Sequence, residues 1–400
     1  MKVLLADKLS PRALAALGEA GHVVVNEPSL KGEALVEALR AETPEVLVVR
    51  STKVPAEAMD ADPKLELIVR AGAGYDTIDI RGASERGIFV SNCPGKNADA
   101  VAELTMGLIL ALDRSIPDNV IDAREGRWNK AKYSKAAGVK GRTLGVIGTG
   151  NIGKAVIRRA QSFGMNVVAW SRSLTDEKAA ALGVTRMESP LDVAANADVV
   201  TLHVAATPET RGLADKAFFE AMKPGAFFIN TTRSSVVDEE ALRWAMDEEG
   251  VRAALDVISN EPAYKEGEFT HPLAYHPNLY ITHHIGASTR QAQDAIADEA
   301  ARVVNTYAET GEAPNCVNLA DRTPATHQLT VRHRDKVGVL AAVLDEMREA
   351  GWNVQEMQNL IFAGAKAACA YITFAGEPNE KTVQRIASHP DVLAVTLIDL

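Results

Sequence analysis

Residues 144–153 read LGVIGTGNIG, an apolar stretch that runs directly into three glycines with G-x-G-x-x-G spacing. The apolar half predicts a strand and the following residues predict a helix, so the glycines should lie in the turn between them. The first glycine permits a tight turn, the second lets the backbone approach a pyrophosphate, and the third lets helix and strand pack closely. N–H groups at the helix start would then bind the phosphates. The predicted dinucleotide contacts are Gly148, Gly150, Asn151, Ile152 and Gly153.

The residue that binds the ribose of a dinucleotide usually ends the next strand, about 20 residues further on. Here that strand, Val167–Trp170, runs into Ser171 and Arg172, so no carboxylate is present to accept hydrogen bonds from a ribose 2′-hydroxyl. A guanidinium at Arg172 can instead bind a 2′-phosphate with two hydrogen bonds, which slightly favours NADP. The alternative is that Arg172 is solvated or stacks on adenine, and Asp176 nearby keeps NAD open. The predicted cofactor is therefore NAD or NADP.

Short apolar strands alternate with helix-like segments on both sides of this loop, for example Val46–Val49 before it and Val199–His203 after it. Such alternation indicates parallel sheets that are covered by helices on both faces. The chain is therefore predicted to be an α/β protein with two doubly wound, Rossmann-like domains. From Thr326 onward the order changes to strand–helix–strand–strand–helix–strand, which predicts a ferredoxin-like βαββαβ module. A linker is expected over Pro314–Pro324.

Composition limits the class of protein. The 400 residues include 43 Lys and Arg against 53 Asp and Glu, a net charge of −10 that argues weakly against a nucleic-acid partner. The longest apolar run, within Val101–Leu112, is shorter than the roughly 18 residues that span a membrane, and the first residues contain no long apolar signal segment. Three widely spaced cysteines suit a reducing compartment. We expect a cytoplasmic protein without a membrane or nucleic-acid partner.

Motifs along the whole chain carry a family resemblance. They are AGAG at 71–74 with Asp76 and Asp79, the glycine loop, NTTRSSVVD at 230–238, DVISNEP at 256–262 and THHIGAST at 282–289. In this order they resemble the D-isomer-specific 2-hydroxyacid dehydrogenases, and among these most closely the phosphoglycerate dehydrogenases. The resemblance implies a substrate domain split over residues 1–97 and 285–325, a dinucleotide-binding domain over 98–284 and an ACT-like regulatory domain over 326–400.

The resemblance also implies three catalytic residues, Arg233, Glu261 and His284. A hydride leaves a secondary alcohol only if the hydroxyl proton is also taken, and an imidazole, with a pKa of about 6.5, is a suitable base. His284 would be that base, Glu261 would hold its other ring nitrogen, and Arg233 would bind the substrate carboxylate. Two residues depart from the family pattern, since Ser234 stands where glycine is usual and His283 where proline is usual.

Further cofactor contacts are predicted as well. They are Ser171, Arg172, Thr207, Thr231 and Asp256. His203 is also expected near the cofactor, because it ends a strand of the nucleotide-binding sheet. The remaining histidines do not have the spacing of a zinc site, so no metal is predicted.

The predicted substrate contacts are Arg50, Ser51, Arg70, Ala73, Gly74 and Lys130. Backbone N–H groups at Ala73 and Gly74 could receive a carboxylate. Arg50 and Arg70 follow strands at the ligand-binding edge of a sheet, where they would bind a phosphate or merely neutralise nearby carboxylates. Lys130 belongs to a loop that resembles the phosphoglycerate dehydrogenases. The favoured reaction is oxidation of 3-phosphoglycerate to 3-phosphohydroxypyruvate, in serine biosynthesis.

Two alternative functions stay open at this point. An NADPH-dependent glyoxylate or hydroxypyruvate reductase is favoured by Ser171 and Arg172. A non-enzymatic NAD(H)-sensing binding protein is also possible, because retained catalytic residues do not exclude it. A dedicated amino-acid-binding regulator would leave the set of Arg233, Glu261 and His284 unexplained.

The C-terminal module contains HRDKVG at 333–338, which resembles the loop by which ACT domains of this family bind serine. The predicted effector contacts are His333, Asp335 and Asn353. Asp335 stands where an amide is common, and its carboxylate would repel the carboxylate of a ligand but attract its ammonium. The alternative role is structural, by strand pairing between the edges of two subunits. We expect a homo-oligomer, either a dimer or a tetramer.

Overall fold

The computed structural model describes residues 1–262, 266–320 and 322–400, which form two compact units, Met1–Asn318 and Leu319–Leu400. The boundary between the units lies within the predicted linker Pro314–Pro324, of which Asp321 lies outside the described residues. The predicted α/β class, with two parallel sheets and one small antiparallel sheet, is confirmed. Within the described ranges, no helix combines the length and the apolar character needed to cross a bilayer.

The first sheet contains five parallel strands, and successive side chains along a strand pack against opposite faces of the sheet. The strands are β1 (Lys2–Leu5), β2 (Val23–Asn26), β3 (Val46–Val49), β4 (Leu67–Arg70) and β5 (Phe89–Asn92), and the helices between them are α1 (Pro11–Glu19), α2 (Glu33–Glu42), α3 (Ala56–Met59) and α4 (Ile80–Glu85). The strand order is β2-β1-β3-β4-β5. Leu4 packs with the α2 side of the sheet and Leu5 with the α1 side, so both faces are buried. Because all five strands are parallel, their carboxyl ends lie at the same edge of the sheet.

Three helices lead from the first sheet to the second, α5 (Ala98–Arg114), α6 (Ile116–Arg124) and α7 (Lys130–Tyr133). The seven parallel strands that follow are β6 (Thr143–Ile147), β7 (Asn166–Trp170), β8 (Thr185–Arg186), β9 (Val199–Leu202), β10 (Phe227–Asn230), β11 (Arg252–Leu255) and β12 (Leu279–Ile281). Their order is β12-β11-β10-β9-β6-β7-β8. The order of the strands across the sheet reverses beside β6, and ligands of doubly wound sheets bind at such a point.

Helices cover both faces of the second sheet. They are α8 (Asn151–Ser162), α9 (Asp176–Leu182), α10 (Pro190–Asn196), α11 (Lys216–Ala221) and α12 (Glu239–Glu248), with a 3-10 turn at Ser234–Val236. Phe218, Phe219 and Phe228 pack edge to face at ring-centroid distances of 5.0 to 6.2 Å. This aromatic cluster anchors α11 beneath β10, the strand that leads to Arg233.

The chain then returns to the first sheet through the long helix α13 (Arg290–Thr310). This helix packs on α1, where Ser10 Oγ donates to Asp294 Oδ1 at 2.6 Å and Arg12 pairs with Asp298 at 2.9 Å. Residues after the second sheet thus complete the core of the first. The domain limits 1–97 with 285–325, 98–284 and 326–400 stay predictions.

The C-terminal unit has the predicted βαββαβ order. Its elements are β13 (His327–Arg334), α14 (Val339–Glu349), β14 (Asn353–Ile361), β15 (Ala367–Ala375), α15 (Glu380–Ala387) and β16 (Val392–Asp399). The sheet is antiparallel with the order β14-β15-β13-β16, so β14 and β16 are its edge strands. Val331, Ile372 and Phe374 form the core under the two helices.

Candidate functional site

A cleft of about 2430 Å³ lies in the first unit, between loops that follow the carboxyl ends of strands in both sheets. From the first sheet come Arg50 after β3 and Arg70 at the end of β4, and from the second come Thr231 after β10 and Asp256 after β11. Loops at the carboxyl ends of parallel strands are where open α/β sheets bind ligands. The cleft is therefore the candidate site.

His284 and Glu261, predicted as a pair, are in contact in this cleft. His284 Nδ1 lies 2.7 Å from Glu261 Oε2, and Glu261 Oε1 accepts a hydrogen bond from the Ile258 N–H at 3.1 Å. The hydrogen bond to Glu261 raises the pKa of His284 above its ordinary value, although burial and the charge of Arg233 oppose it. With Nδ1 engaged by the carboxylate, Nε2 is the ring nitrogen left to face a ligand.

The backbone around His284 is fixed by Asp256. Its carboxylate accepts from Thr282 Oγ1 at 2.6 Å, from the Ile285 N–H at 2.9 Å and from the Gly286 N–H at 2.8 Å. Asp256 was predicted to contact the cofactor. It lines the cleft, so that contact stays a prediction, and both of its oxygens are also engaged in the turn around His284, a residue with a φ of 53° in the left-handed region. Asp256 thus positions the imidazole.

Arg233 is held from two sides, which leaves one edge of its guanidinium for a ligand. Nη2 pairs with Asp76 Oδ1 at 2.9 Å, Nε faces the same carboxylate, and Nη1 donates to the Thr232 carbonyl at 2.8 Å. A guanidinium has five N–H groups, so one on each terminal nitrogen remains for a carboxylate. A Cβ at Gly74 would lie only 2.1 Å from Arg233 Nη2, so a larger residue there would force the guanidinium to shift.

Two further arginines make the first-sheet side of the cleft cationic. Burial, together with the nearby charges of Arg233 and Arg50, lowers the pKa of Arg70 to about 10, still well above neutral pH. Its Nε is buried and has no hydrogen-bond partner among the described residues. A buried N–H donor without a partner is a costly arrangement.

The loop that carries Arg50 and Ser51 is organised by a residue that sequence reasoning missed, Asp7. Asp7 Oδ2 accepts from the N–H groups of Arg50, Ser51 and Thr52 at 2.7, 3.0 and 2.9 Å, and Oδ1 accepts from Ser51 Oγ at 2.8 Å. Burial raises the pKa of Asp7, but these hydrogen bonds outweigh it and hold the pKa below its usual value. The available signal was a carboxylate placed just beyond the first buried strand.

The glycine loop fits a pyrophosphate. Gly148 has a φ of +101°, and a Cβ there would lie 2.4 Å from the His203 carbonyl, whereas a Cβ at Gly153 would lie 2.0 Å from the Gly148 carbonyl. Gly150 has open space around its Cα, and no side chain caps helix α8, which begins at Asn151. The first N–H groups of α8 are thus left for an anion. These residues would hold the phosphates of a dinucleotide.

The other predicted cofactor residues differ in their surroundings. Ser171 Oγ lies 2.9 Å from Thr149 Oγ1, and Arg172 beside it is exposed at the end of β7. Thr207 and Thr231 line the cleft. His203 also lines it, and burial lowers its pKa to about 3, so its ring is neutral at physiological pH.

Some predicted contacts lie elsewhere. Ala73 and Gly74 line the cleft. Lys130 does not line it and is exposed in the short helix α7. In the C-terminal unit, His333 is buried, with Nδ1 at 2.8 Å from the Arg334 carbonyl and Nε2 at 3.2 Å from Asn359 Oδ1. Asp335 and Asn353 are exposed. No group of three or more His, Cys, Asp or Glu side chains within the described ranges is arranged to hold a metal ion.

Comparison with known proteins gives a consistent result. Residues 106–286 match the family described as D-isomer specific 2-hydroxyacid dehydrogenase, NAD binding domain. The D-3-phosphoglycerate dehydrogenase of Methanocaldococcus jannaschii is 38% identical over 321 residues, which are 80% of this chain and 60% of that protein. The chain spans about three fifths of the length of the curated relatives it matches.

Two solved structures are similar in fold to this chain over 80% of its length. The NAD⁺-bound 3-phosphoglycerate dehydrogenase of Entamoeba histolytica is 26% identical, with a TM-score of 0.66 and coverage of 80% of this chain and 99% of that one. The NADPH-dependent glyoxylate/hydroxypyruvate reductase of Sinorhizobium meliloti, in complex with NADP and malonate, is 28% identical, with a TM-score of 0.67 and the same coverage.

The contact between Glu261 and His284 predicts a pH effect. In Glu261→Gln we expect the pKa of His284 to fall toward its ordinary value of about 6.5, because the neutral amide no longer stabilises the imidazolium. The raised pKa contributes stability below about pH 6.5, and this contribution is lost as the pH rises through the folded-state pKa. NMR titration of labelled histidines measures the shift. Glu266→Gln, which removes another carboxylate of the cleft, is the control, and an unchanged His284 pKa in Glu261→Gln would contradict the assignment.

Proposed function

This chain belongs to the D-isomer-specific 2-hydroxyacid dehydrogenases, and we propose that it interconverts a small 2-hydroxy acid and its 2-oxo acid. The observation that carries the proposal is the convergence of His284, Glu261 and Arg233 in one cleft, which Ile152 of the glycine loop also lines. A nicotinamide dinucleotide, when bound, supplies the acceptor or donor of the hydride. The remaining chemistry is orientation of the acid and transfer of one proton, and both fall to side chains of this cleft.

Each of the three side chains has a separate task in this proposal. The free edge of Arg233 binds the substrate carboxylate with two hydrogen bonds and thereby orients C2. His284 Nε2 takes the proton of the C2 hydroxyl during oxidation and returns it during reduction. Glu261, 2.7 Å from Nδ1, stabilises the imidazolium that forms. Oxidation thus needs the neutral imidazole and reduction needs the protonated one.

We propose 3-phosphoglycerate as the substrate. Arg70 has an unsatisfied buried donor, and Arg50 lies in a loop that Asp7 fixes, so the first-sheet side of the cleft offers two cations besides Arg233. A dianionic phosphate distal to the carboxylate would be attracted by both guanidiniums. The similar protein of M. jannaschii is named D-3-phosphoglycerate dehydrogenase, which supports the same substrate. Lys130 does not line this cleft, so it has no role in the proposed substrate binding.

The second candidate is reduction of glyoxylate or hydroxypyruvate with NADPH. One observation favours it, because β7 ends at Ser171 and the exposed Arg172, without the carboxylate that would accept from a ribose 2′-hydroxyl. The similar S. meliloti structure, which holds NADP, is a reductase of this class. Cofactor choice and substrate choice are separable, so Arg172 bears on the first and Arg70 on the second.

For the C-terminal unit we propose a structural role between subunits rather than serine binding. His333, expected to contact serine, is buried and engaged at both ring nitrogens within its own unit. The edge strand β14 meanwhile exposes Met357, Leu360 and Ile361. An exposed apolar edge strand is suited to pairing with a second copy. This supports a homo-oligomer.

The proposed reaction is tested by absorbance at 340 nm. We expect NADH or NADPH to be consumed with 3-phosphohydroxypyruvate, hydroxypyruvate or glyoxylate. His284→Asn should lower turnover by about 10²–10⁴-fold, because no group is left to move the proton, while the affinity for the dinucleotide stays nearly unchanged. The absence of turnover with every 2-oxo acid tested would favour the NAD(H)-sensing alternative.

The choice of substrate is tested by Arg70→Met, which keeps the bulk of the side chain but removes its charge. We expect kcat/KM for the phosphorylated substrate to fall by about 100-fold, since a charge-assisted contact is lost, while glyoxylate is affected far less. Arg158→Met, which makes the same chemical change at an exposed arginine of α8 that does not line the cleft, is the control. Equal losses for both substrates in Arg70→Met would count against a phosphate contact.

The choice of cofactor is tested by Arg172→Ala. If the guanidinium binds a 2′-phosphate, the KM for NADPH should rise by about tenfold or more and that for NADH should stay near its original value. Steady-state kinetics with both cofactors measure the ratio. A rise of the same size for NADH and NADPH would show that Arg172 does not discriminate between them.

A further inference from the structure

A cluster of three polar side chains lies behind the turn that carries Glu261, and none of the three lines the cleft. Glu239 Oε1 accepts from the Ser259 N–H at 2.6 Å, and Glu239 Oε2 accepts from Ser259 Oγ at 2.7 Å. His271 Nε2 lies 3.1 Å from Ser259 Oγ and 3.3 Å from Glu239 Oε2. His271 is only 6% exposed, and Phe269 stacks on its ring.

The protonation pattern of this cluster can be inferred from its contacts. His271 Nδ1 accepts from the Leu273 N–H at 3.2 Å, so the neutral ring carries its proton on Nε2 and donates it toward Glu239 and Ser259. The carboxylate of Glu239 thus accepts hydrogen bonds from the N–H and the hydroxyl of Ser259 and from Nε2 of His271. A serine, a histidine and a glutamate also make up hydrolytic triads, but there the acid binds the ring nitrogen opposite the serine. Here the same ring nitrogen, Nε2 of His271, faces both the serine and the glutamate, so the cluster is not a nucleophilic site.

The cluster joins three segments of the chain at one point. Glu239 lies in the first turn of α12, Ser259 in the turn after β11, and His271 in the segment before β12. The turn after β11 is short and strained, since Asn260 has a φ of 53°. Its next residue is Glu261, whose Oε1 accepts from the Ile258 N–H within the same turn. Ser259 is thus a residue at which contacts from outside the turn hold it in place.

We propose that Glu239, Ser259 and His271 are positioning residues that hold the Glu261 carboxylate at its contact with His284. The inference rests on the proposed function in one respect, that His284 moves a proton during turnover. The three side chains touch neither the cleft nor the reacting atoms, so they act only through the turn. Their loss lets the turn relax and withdraws Glu261 Oε2 from His284 Nδ1.

The charged groups around each histidine define the expected consequence. His284 faces Glu261 from the turn after β11, Arg233 from the segment after β10 and Asp256 from the end of β11. Only the contact with Glu261 depends on the turn, because Asp256 is held by the N–H groups of residues 285 and 286. His271 faces Glu239. A relaxed turn therefore lowers the pKa of His284 toward its ordinary value and leaves Arg233 in place.

Two substitutions at one position separate positioning from simple packing. The amide nitrogen of glutamine can replace Nε2 of histidine, so His271→Gln keeps the donor toward Glu239 and Ser259. The amide oxygen of asparagine can replace Nδ1, so His271→Asn keeps the acceptor for the Leu273 N–H and loses that donor. Ser259→Ala removes the hydroxyl from the other side and serves as the second disrupting variant.

The chain offers a matched control in the same segment. His276 Nδ1 accepts from the Asn278 N–H at 3.1 Å, and His276 Nε2 lies 3.1 Å from Asp247 Oδ1 of α12. It therefore ties the same segment to the same helix, by the same two kinds of contact, away from the Glu261 turn. His276→Asn makes the same chemical change as His271→Asn without breaking the cluster.

The decisive measurement is an NMR titration of His284 in the full chain without substrate, with the signal assigned from its absence in His284→Gln. We expect the pKa of His284 to fall by about half a unit or more in His271→Asn and Ser259→Ala, and to stay unchanged in His271→Gln and His276→Asn. For any 2-oxo acid that is turned over, kcat should fall by about tenfold in the two disrupting variants with KM nearly unchanged.

The outcomes distinguish this inference from the proposed function. A thermal melt of each variant checks that it is folded. An unchanged His284 pKa in folded His271→Asn and Ser259→Ala would overturn the positioning role, as would an equal fall in His276→Asn. The titration needs no turnover, so a protein that reduces no 2-oxo acid but shows the expected pKa pattern would overturn only the proposed reaction.

Discussion

The contact of 2.7 Å between Glu261 Oε2 and His284 Nδ1 is the interaction on which the chemistry of this chain depends. The two residues lie 23 positions apart, and each is presented by a turn with left-handed backbone, at Asn260 for the acid and at His284 itself. Such backbone is unfavourable for residues other than glycine and persists only where surrounding contacts enforce it. Asp256 supplies those contacts for the imidazole, and the cluster around Ser259 supplies them for the carboxylate.

Much of the fold could be predicted from local sequence. Buried parallel strands are short apolar runs, so β3 and β9 were placed within one residue of their observed limits, and the proline after Ser10 marks the start of α1. The two doubly wound sheets and the C-terminal βαββαβ order follow from the succession of such runs. The order of strands within each sheet did not follow, because pairing is decided by contacts between distant segments that leave no local pattern.

The candidate site shows the same division between local and distant information. The glycine loop has a local cause, since the roles of Gly148 and Gly153 arise within one strand–turn–helix, and its geometry fits the predicted task. Asp7 organises a loop more than 40 residues away, and the engagement of Asp256 with residues 282–286 likewise depends on folding. Lys130 was assigned through resemblance to a loop, and resemblance does not specify which cleft a side chain enters.

The pairing of Arg233 with Asp76 has a consequence for motion. Asp76 belongs to the loops of the first sheet and Arg233 to those of the second, so the ion pair bridges the two walls of the cleft before any ligand arrives. Widening the cleft must separate these charges. Because both side chains are partly exposed, dissolved ions weaken their attraction. Ionic strength should therefore influence how often the cleft opens, and so how quickly a bound ligand exchanges with bulk solvent.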